Sequence, residues 1–122
     1  MKSFTAGDSV AVAGSYANDA SILPAQSKEI AGRDEVIHYI SLMMRQGVKN
    51  FTLETKNIWG DSSLLAEEGV YELADSLGNS LDKGKYIVLW TPEGGNWKMF
   101  RDIWTSDLPY PALLPNREEP EQ

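Results

Sequence analysis

Gly84-Lys85-Tyr86-Ile87-Val88-Leu89-Trp90 and, after the turn Thr91-Pro92-Glu93-Gly94-Gly95-Asn96, Trp97-Lys98-Met99-Phe100-Arg101-Asp102-Ile103-Trp104 are the stretches that decide the fold. Both are rich in aromatic and β-branched residues, and the Gly-Gly-Asn tip supplies the positive φ angles of a hairpin. The pair reads as two long neighbouring strands. Asp102 lies between Phe100 and Trp104 on one pleat face. An acid so placed is either a pocket group, its pKa raised by the flanking rings, or a buried acid bonded to an indole or a backbone group.

Working backwards, Phe51 to Trp59 and Leu64 to Leu73 read as two further strands, with turns at Gly60-Asp61 and Leu77-Gly78-Asn79-Ser80. On the Leu64 to Leu73 strand, Glu67, Gly69 and Tyr71 share a face: a carboxylate, a gap and a phenol in sequence. The gap permits a bend or the close approach of another side chain. Gly84, Tyr86, Val88 and Trp90 share a face of the next strand, while Ile87 and Leu89 make the opposite face apolar as well, so a strand covered on both sides is expected. Closely spaced turns without intervening helices call for an antiparallel meander.

Two helices are expected ahead of the sheet. Residues 8 to 17 carry Asp8 as a cap, with Val10, Ala13, Gly14 and Ala17 on one face, and Tyr16-Ala17-Asn18-Asp19-Ala20 ends the helix. Ser21-Ile22-Leu23-Pro24 is a short extended piece, and Ala25 to Ile30 is a loop or a brief strand. The second helix starts after Gly32, runs to about Gln46 and stops at Gly47, with Val36, Ile37, Ile40, Met43 and Met44 on its apolar stripe. His38 falls on the other side and reads as solvated. Helices first and sheet second make an α+β domain over residues 1–108, a curved antiparallel sheet with N-terminal helices on its concave face. Residues 109–122 form a Pro-rich, acidic tail.

The formal net charge of −7 repels phosphate backbones, so no nucleic-acid partner is expected. The chain has no cysteine and one histidine, which removes thiol nucleophiles, disulfides and a His-rich metal cluster; no metal and no cofactor are expected. No apolar run is long enough for a membrane helix, and the first residues lack an apolar signal core, so no membrane partner and a cytoplasmic location are expected.

Gly7-Asp8, Tyr16-Ala17-Asn18-Asp19-Ala20, Leu23-Pro24, Gly32-Arg33, Glu67-x-Gly69-x-Tyr71, Gly84-Lys85-Tyr86-x-Val88-x-Trp90 and Trp97-Lys98 before Asp102-Ile103-Trp104 together resemble the SnoaL-like group of the nuclear-transport-factor-2-like superfamily. That superfamily also includes ketosteroid isomerase and the kinase-II association domain. The resemblance covers roughly residues 6 to 108 and implies a cone-shaped (cystatin-like) α+β barrel, commonly a homodimer paired through the outer sheet face. It implies no single activity. In ketosteroid isomerase a general-base Asp directly precedes a Pro, where this chain has Ser21-Ile22-Leu23-Pro24; the isomerase's tyrosine lies ahead of the Gly-Asp, where few residues remain. Steroid isomerisation by that mechanism is therefore not expected.

The expected ligand is a small apolar molecule in the cone cavity, either bound only or subjected to acid/base chemistry of an isomerase or hydrolase type. Asp102 and Glu67 are the candidate catalytic acids, Glu67 standing equally well as a structural ion pair with Lys85 or Arg101. Tyr71 and Tyr86 are candidate hydrogen-bond donors to the ligand. Trp104, Phe100 and Met43 are candidate wall residues. The rival expectation is a non-catalytic dimerisation or association module.

Overall fold

A computed structural model describes residue 12 and residues 14–109. In chain order come β1 (Tyr16–Leu23), β2 (Ile30–Ala31), α1 (Arg33–Arg45), β3 (Asn50–Gly60), β4 (Leu65–Ala74), β5 (Ser80–Glu93) and β6 (Asn96–Ser106). The six strands form one sheet in the order β2-β1-β6-β5-β4-β3.

From β3 to β6 the sheet is the expected antiparallel meander. Its last hairpin is tighter than the sequence suggested. Glu93 pairs with Asn96, and Gly94 and Gly95 hold φ angles of 62° and 85°, so two residues of positive φ make the whole turn. The sheet is mixed rather than wholly antiparallel, because β1 lies parallel to β6.

That pairing corrects the reading of the N-terminal region. Tyr16 and Ala17, expected to end a helix, open β1 instead, with Tyr16 opposite Met99. Between Tyr16 and Ser21 the register shifts, and the polar Asn18 and Asp19 stand exposed there while the apolar residues on either side are buried. Asn18 and Asp19 therefore stand at a break in the β1–β6 register and not at a helix end. Val12 is helical; residues 8–11 and 13 of the expected first helix lie outside the described residues, as do 110–122 of the expected tail. Among the described residues the one long helix is α1, and a covering set of several N-terminal helices is not what is seen.

α1 follows its reading closely. Gly32 enters it at φ 90° and Gly47 leaves it at φ 104°, both conformations that favour glycine. Val36, Tyr39, Ile40 and Met43 are buried, Ile37 and Met44 are half-buried, and His38 is exposed. These helix residues join Tyr16, Ile22, Tyr71, Leu73, Tyr86 and Val88 in one core between α1 and the inner face of the sheet. The outer face is less covered than expected: Ile87 and Ile103, opposite one another on β5 and β6, are 44% and 46% exposed. Trp59 and Trp97 are also exposed.

Candidate functional site

Strand register places the two candidate acids in one row across the inner face. Glu67 on β4 pairs with Val88 on β5, Val88 with Asp102 on β6, and Asp102 with Ile22 on β1. Adjacent strands lie about 4.8 Å apart, so the two acid-bearing backbones are separated by roughly 10 Å with Val88 between them. They feel each other's charge but do not share a proton.

Above this row is a cavity of about 160 Å³. Four of the chain's five tyrosines line it, Tyr16, Tyr39, Tyr71 and Tyr86, with Trp90, Trp104, Met43, Met99, Glu67 and Asp102 among the other wall residues. Phe100 is not in the wall. A register shift between Leu89 and Trp90 sets Trp90 opposite Met99 and Leu89 opposite Arg101, so Met99 takes the inward place expected of Phe100. The Phe100 ring instead lies under the Arg101 guanidinium, 5.3 Å from its carbon.

The two carboxylates have different surroundings. Glu67 is saturated with donors: Tyr86 Oη–H and Thr55 Oγ1–H (2.7 Å) donate to Oε2, and the Trp90 indole N–H donates to Oε1 at 3.0 Å. Burial pushes its pKa up, but these three donors outweigh burial and hold it below the usual carboxylate value. The expected pairing with Lys85 or Arg101 is not what holds it: Lys85 pairs with Asp107, and Arg101 donates to backbone oxygens. Gly69 makes this arrangement possible. A Cβ there would stand 2.6 Å from the Tyr86 hydroxyl, so the missing side chain is what lets the Tyr86 phenol lie across β4 towards Glu67.

Asp102 is buried and accepts one hydrogen bond, from Tyr16 Oη–H to Oδ2 at 2.6 Å. Burial raises its pKa to about 6; the Tyr16 bond opposes the rise, and the charge on Glu67 adds to it. Oδ1 has no partner among the described residues. Both acids named from the sequence stand in the cavity wall, and of the two it is Asp102 that keeps an oxygen without a partner among the described residues.

The expected donors are occupied. Tyr86 is engaged with Glu67, and Tyr71 donates to Asp82 Oδ2 at 2.9 Å. Asp82 is buried and also accepts from Ser106 Oγ–H at 2.6 Å and from the Lys83 backbone N–H. Tyr71 also sets a ring edge against Trp104, with centroids 6.4 Å apart.

Three residues escaped the sequence reading. Asp82 could have been found by extending the Gly84-Tyr86-Val88-Trp90 alternation two residues back. Tyr39 lies three residues after Val36 and four before Met43, within the apolar stripe. Tyr16 had no such signal, because its place depends on the parallel β1–β6 pairing. Among the described residues no group of three or more His, Cys, Asp or Glu is placed to hold a metal ion, and no helix is long and apolar enough to cross a membrane.

No protein-family model matches the chain, and no curated protein matches it in sequence. Solved structures do. An NTF2-like protein with a cystatin-like fold from Novosphingobium aromaticivorans superposes with a TM-score of 0.75 at 11% identity, over 89% of this chain and 75% of that one. A ketosteroid isomerase-like protein from Erwinia carotovora atroseptica gives 0.70 at 17% identity, over 88% of both chains. This chain has the nuclear-transport-factor-2-like fold. A protein of unknown function from Mycobacterium tuberculosis gives 0.69 at 19% identity; 87% of this chain aligns, spanning 64% of that protein's length. At these identities the likeness concerns the fold, and the resemblance read from the sequence holds at that level.

Proposed function

We propose that this chain binds a small apolar molecule in its cone cavity, and that proton transfer there, of an isomerase or hydrolase type, runs through Asp102. The observation that carries the reading is Asp102 itself. A carboxyl buried in an aromatic wall, with one oxygen held by Tyr16 and the other without a partner among the described residues, has a pKa of about 6 and can accept and return a proton close to neutrality. Glu67 is set aside as a base because its oxygens already accept three donors. The neighbouring folds, one of them named ketosteroid isomerase-like, are compatible with a ligand cavity at this place.

A second reading, an association module working as a homodimer, is favoured by exposed Ile87 and Ile103 at the middle of the outer sheet face. The two readings are compatible if two copies meet on that face while each keeps its cavity.

The test is a titration of toluene into protein with labelled methyl groups. Saturable shifts at Met43, Ile40 and Val88 are expected, and Asp102→Asn is expected to preserve them while abolishing deuterium exchange into cyclohexanone beyond the buffer rate. Absence of toluene-induced shifts removes the cavity reading, and unchanged exchange in Asp102→Asn removes the role of Asp102.

A further inference from the structure

Of the polar groups on the cavity wall, most are already satisfied by other protein groups. Tyr16, Tyr71 and Tyr86 each donate to a carboxylate, and Trp90 donates to Glu67. Apart from the Ser15 hydroxyl, two groups on the wall are left over among the described residues. Tyr39 is 5% exposed and lines the cavity, yet its hydroxyl has no hydrogen-bond partner among the described residues. Its ring is fixed by α1 on one side and by Trp104 on the other, with centroids 6.1 Å apart. The second group is the Oδ1 atom of Asp102 in the same wall.

A phenol and a carboxylate oxygen without protein partners among the described residues, on the wall of one apolar cavity, are a donor and an acceptor open to whatever occupies it. A single hydroxyl meets both, because a hydroxyl donates one hydrogen bond and accepts two. A ketone or ether offers lone pairs alone and would leave the carboxylate oxygen facing another acceptor. The size of the ligand follows from the volume, since a dry cavity of about 150 Å³ holds one benzene ring. We propose that Tyr39 and Asp102 form a two-point receiver for a neutral, single-ring molecule bearing one hydroxyl, with Tyr39 Oη–H donating to the ligand oxygen and Asp102 Oδ1 accepting the ligand's O–H.

Electrostatics agree with the geometry. Burial, followed by the charges of Asp102 and Asp82, raises the Tyr39 pKa, so its phenol stays protonated and remains a donor. Asp102, at about 6, is mainly ionised at pH 7.5 and is an acceptor there. The Tyr16 hydroxyl holds Oδ2 and leaves Oδ1 as the free atom.

This inference rests on the cavity reading above, and its experiment separates the two. Phenol, anisole and toluene are titrated at pH 7.5 into the wild type and Tyr39→Phe, with the same methyl signals as readout. Loss of one hydrogen bond is expected to weaken phenol about tenfold in Tyr39→Phe. Toluene should change by less than about twofold, which also reports that the variant is folded with its cavity intact. In the wild type, anisole, which keeps the ring and the oxygen but cannot donate, should bind at least about tenfold more weakly than phenol. Equal binding of anisole and phenol, or a phenol affinity indifferent to Tyr39→Phe while toluene binds, overturns the receiver and leaves the cavity reading standing. Failure of the wild type to bind any of the three overturns both.

Discussion

Asp102→Asn tests the burial of the cavity acid without requiring a ligand. In the folded chain Asp102 has a pKa of about 6, against 3.8 for an ordinary aspartate, which the unfolded chain is taken to show. A raised carboxyl pKa means that the folded state holds the proton more tightly than the unfolded state. Its contribution to stability is therefore fully present at low pH and is lost as pH rises from about 4 to about 6. The difference between the two values corresponds to about 3 kcal/mol at 1.36 kcal/mol per pH unit. About 2.5 kcal/mol of that falls between pH 4 and pH 7.5. Asparagine cannot titrate, yet its amide oxygen can still accept from Tyr16. Asp61 and Asp75, whose pKa values are lowered, favour the folded state as pH rises, but they do so equally in both proteins and cancel in the comparison; the coupling of Glu67 to the Asp102 charge is part of the difference measured. Urea unfolding at pH 4, 5, 6 and 7.5 should show Asp102→Asn gaining about 2.5 kcal/mol relative to the wild type, with unchanged m values. A stability difference independent of pH would refute the buried, poised carboxyl.

Two further outcomes follow from the packing of the sheet. Gly69→Ala places a Cβ 2.3 Å from the Glu54 carbonyl oxygen and 2.6 Å from the Tyr86 hydroxyl, and is expected to cost about 2–3 kcal/mol in urea unfolding by displacing Tyr86 from Glu67; a loss below about 0.5 kcal/mol contradicts that contact. On the outer face, Ile87→Lys should leave the folding of a single copy within about 0.5 kcal/mol, while sedimentation at micromolar concentration should change from dimer to monomer; a wild type that is already monomeric rules out the proposed pairing.

The residues that made the site legible in advance were those on long, regular strands. Glu67 and Tyr86 could be placed on inward faces because period-two alternation continues unbroken from Glu67 to Leu73 and from Asp82 to Trp90. Asp102 was placed correctly, but its neighbour was not: a bulge near Phe100 adds a residue to β6 and brings Met99 into the wall. A bulge leaves no distinctive mark in an alternating sequence of apolar and charged residues. Tyr71 and Tyr86 line the cavity, but their hydroxyls already donate to Asp82 and Glu67, because which acceptor a phenol finds depends on groups from other strands.

The sequence by itself determined an α+β chain, the meander from β3 to β6, the limits of α1 between Gly32 and Gly47, and the identity of two inward-facing acids. Those properties are local: helical periodicity, strand alternation and glycine at positive φ are written in consecutive residues. Only the tertiary structure decided that β1 runs parallel to β6, bringing Tyr16 to Asp102 across 86 positions of sequence. The same long-range closure brings Tyr86, Trp90 and Thr55 to Glu67 and leaves the Tyr39 hydroxyl and one oxygen of Asp102 without partners among the described residues. Ionisation and hydrogen-bond satisfaction depend on what the other strands and the helix deliver to a group, and no local pattern encodes that.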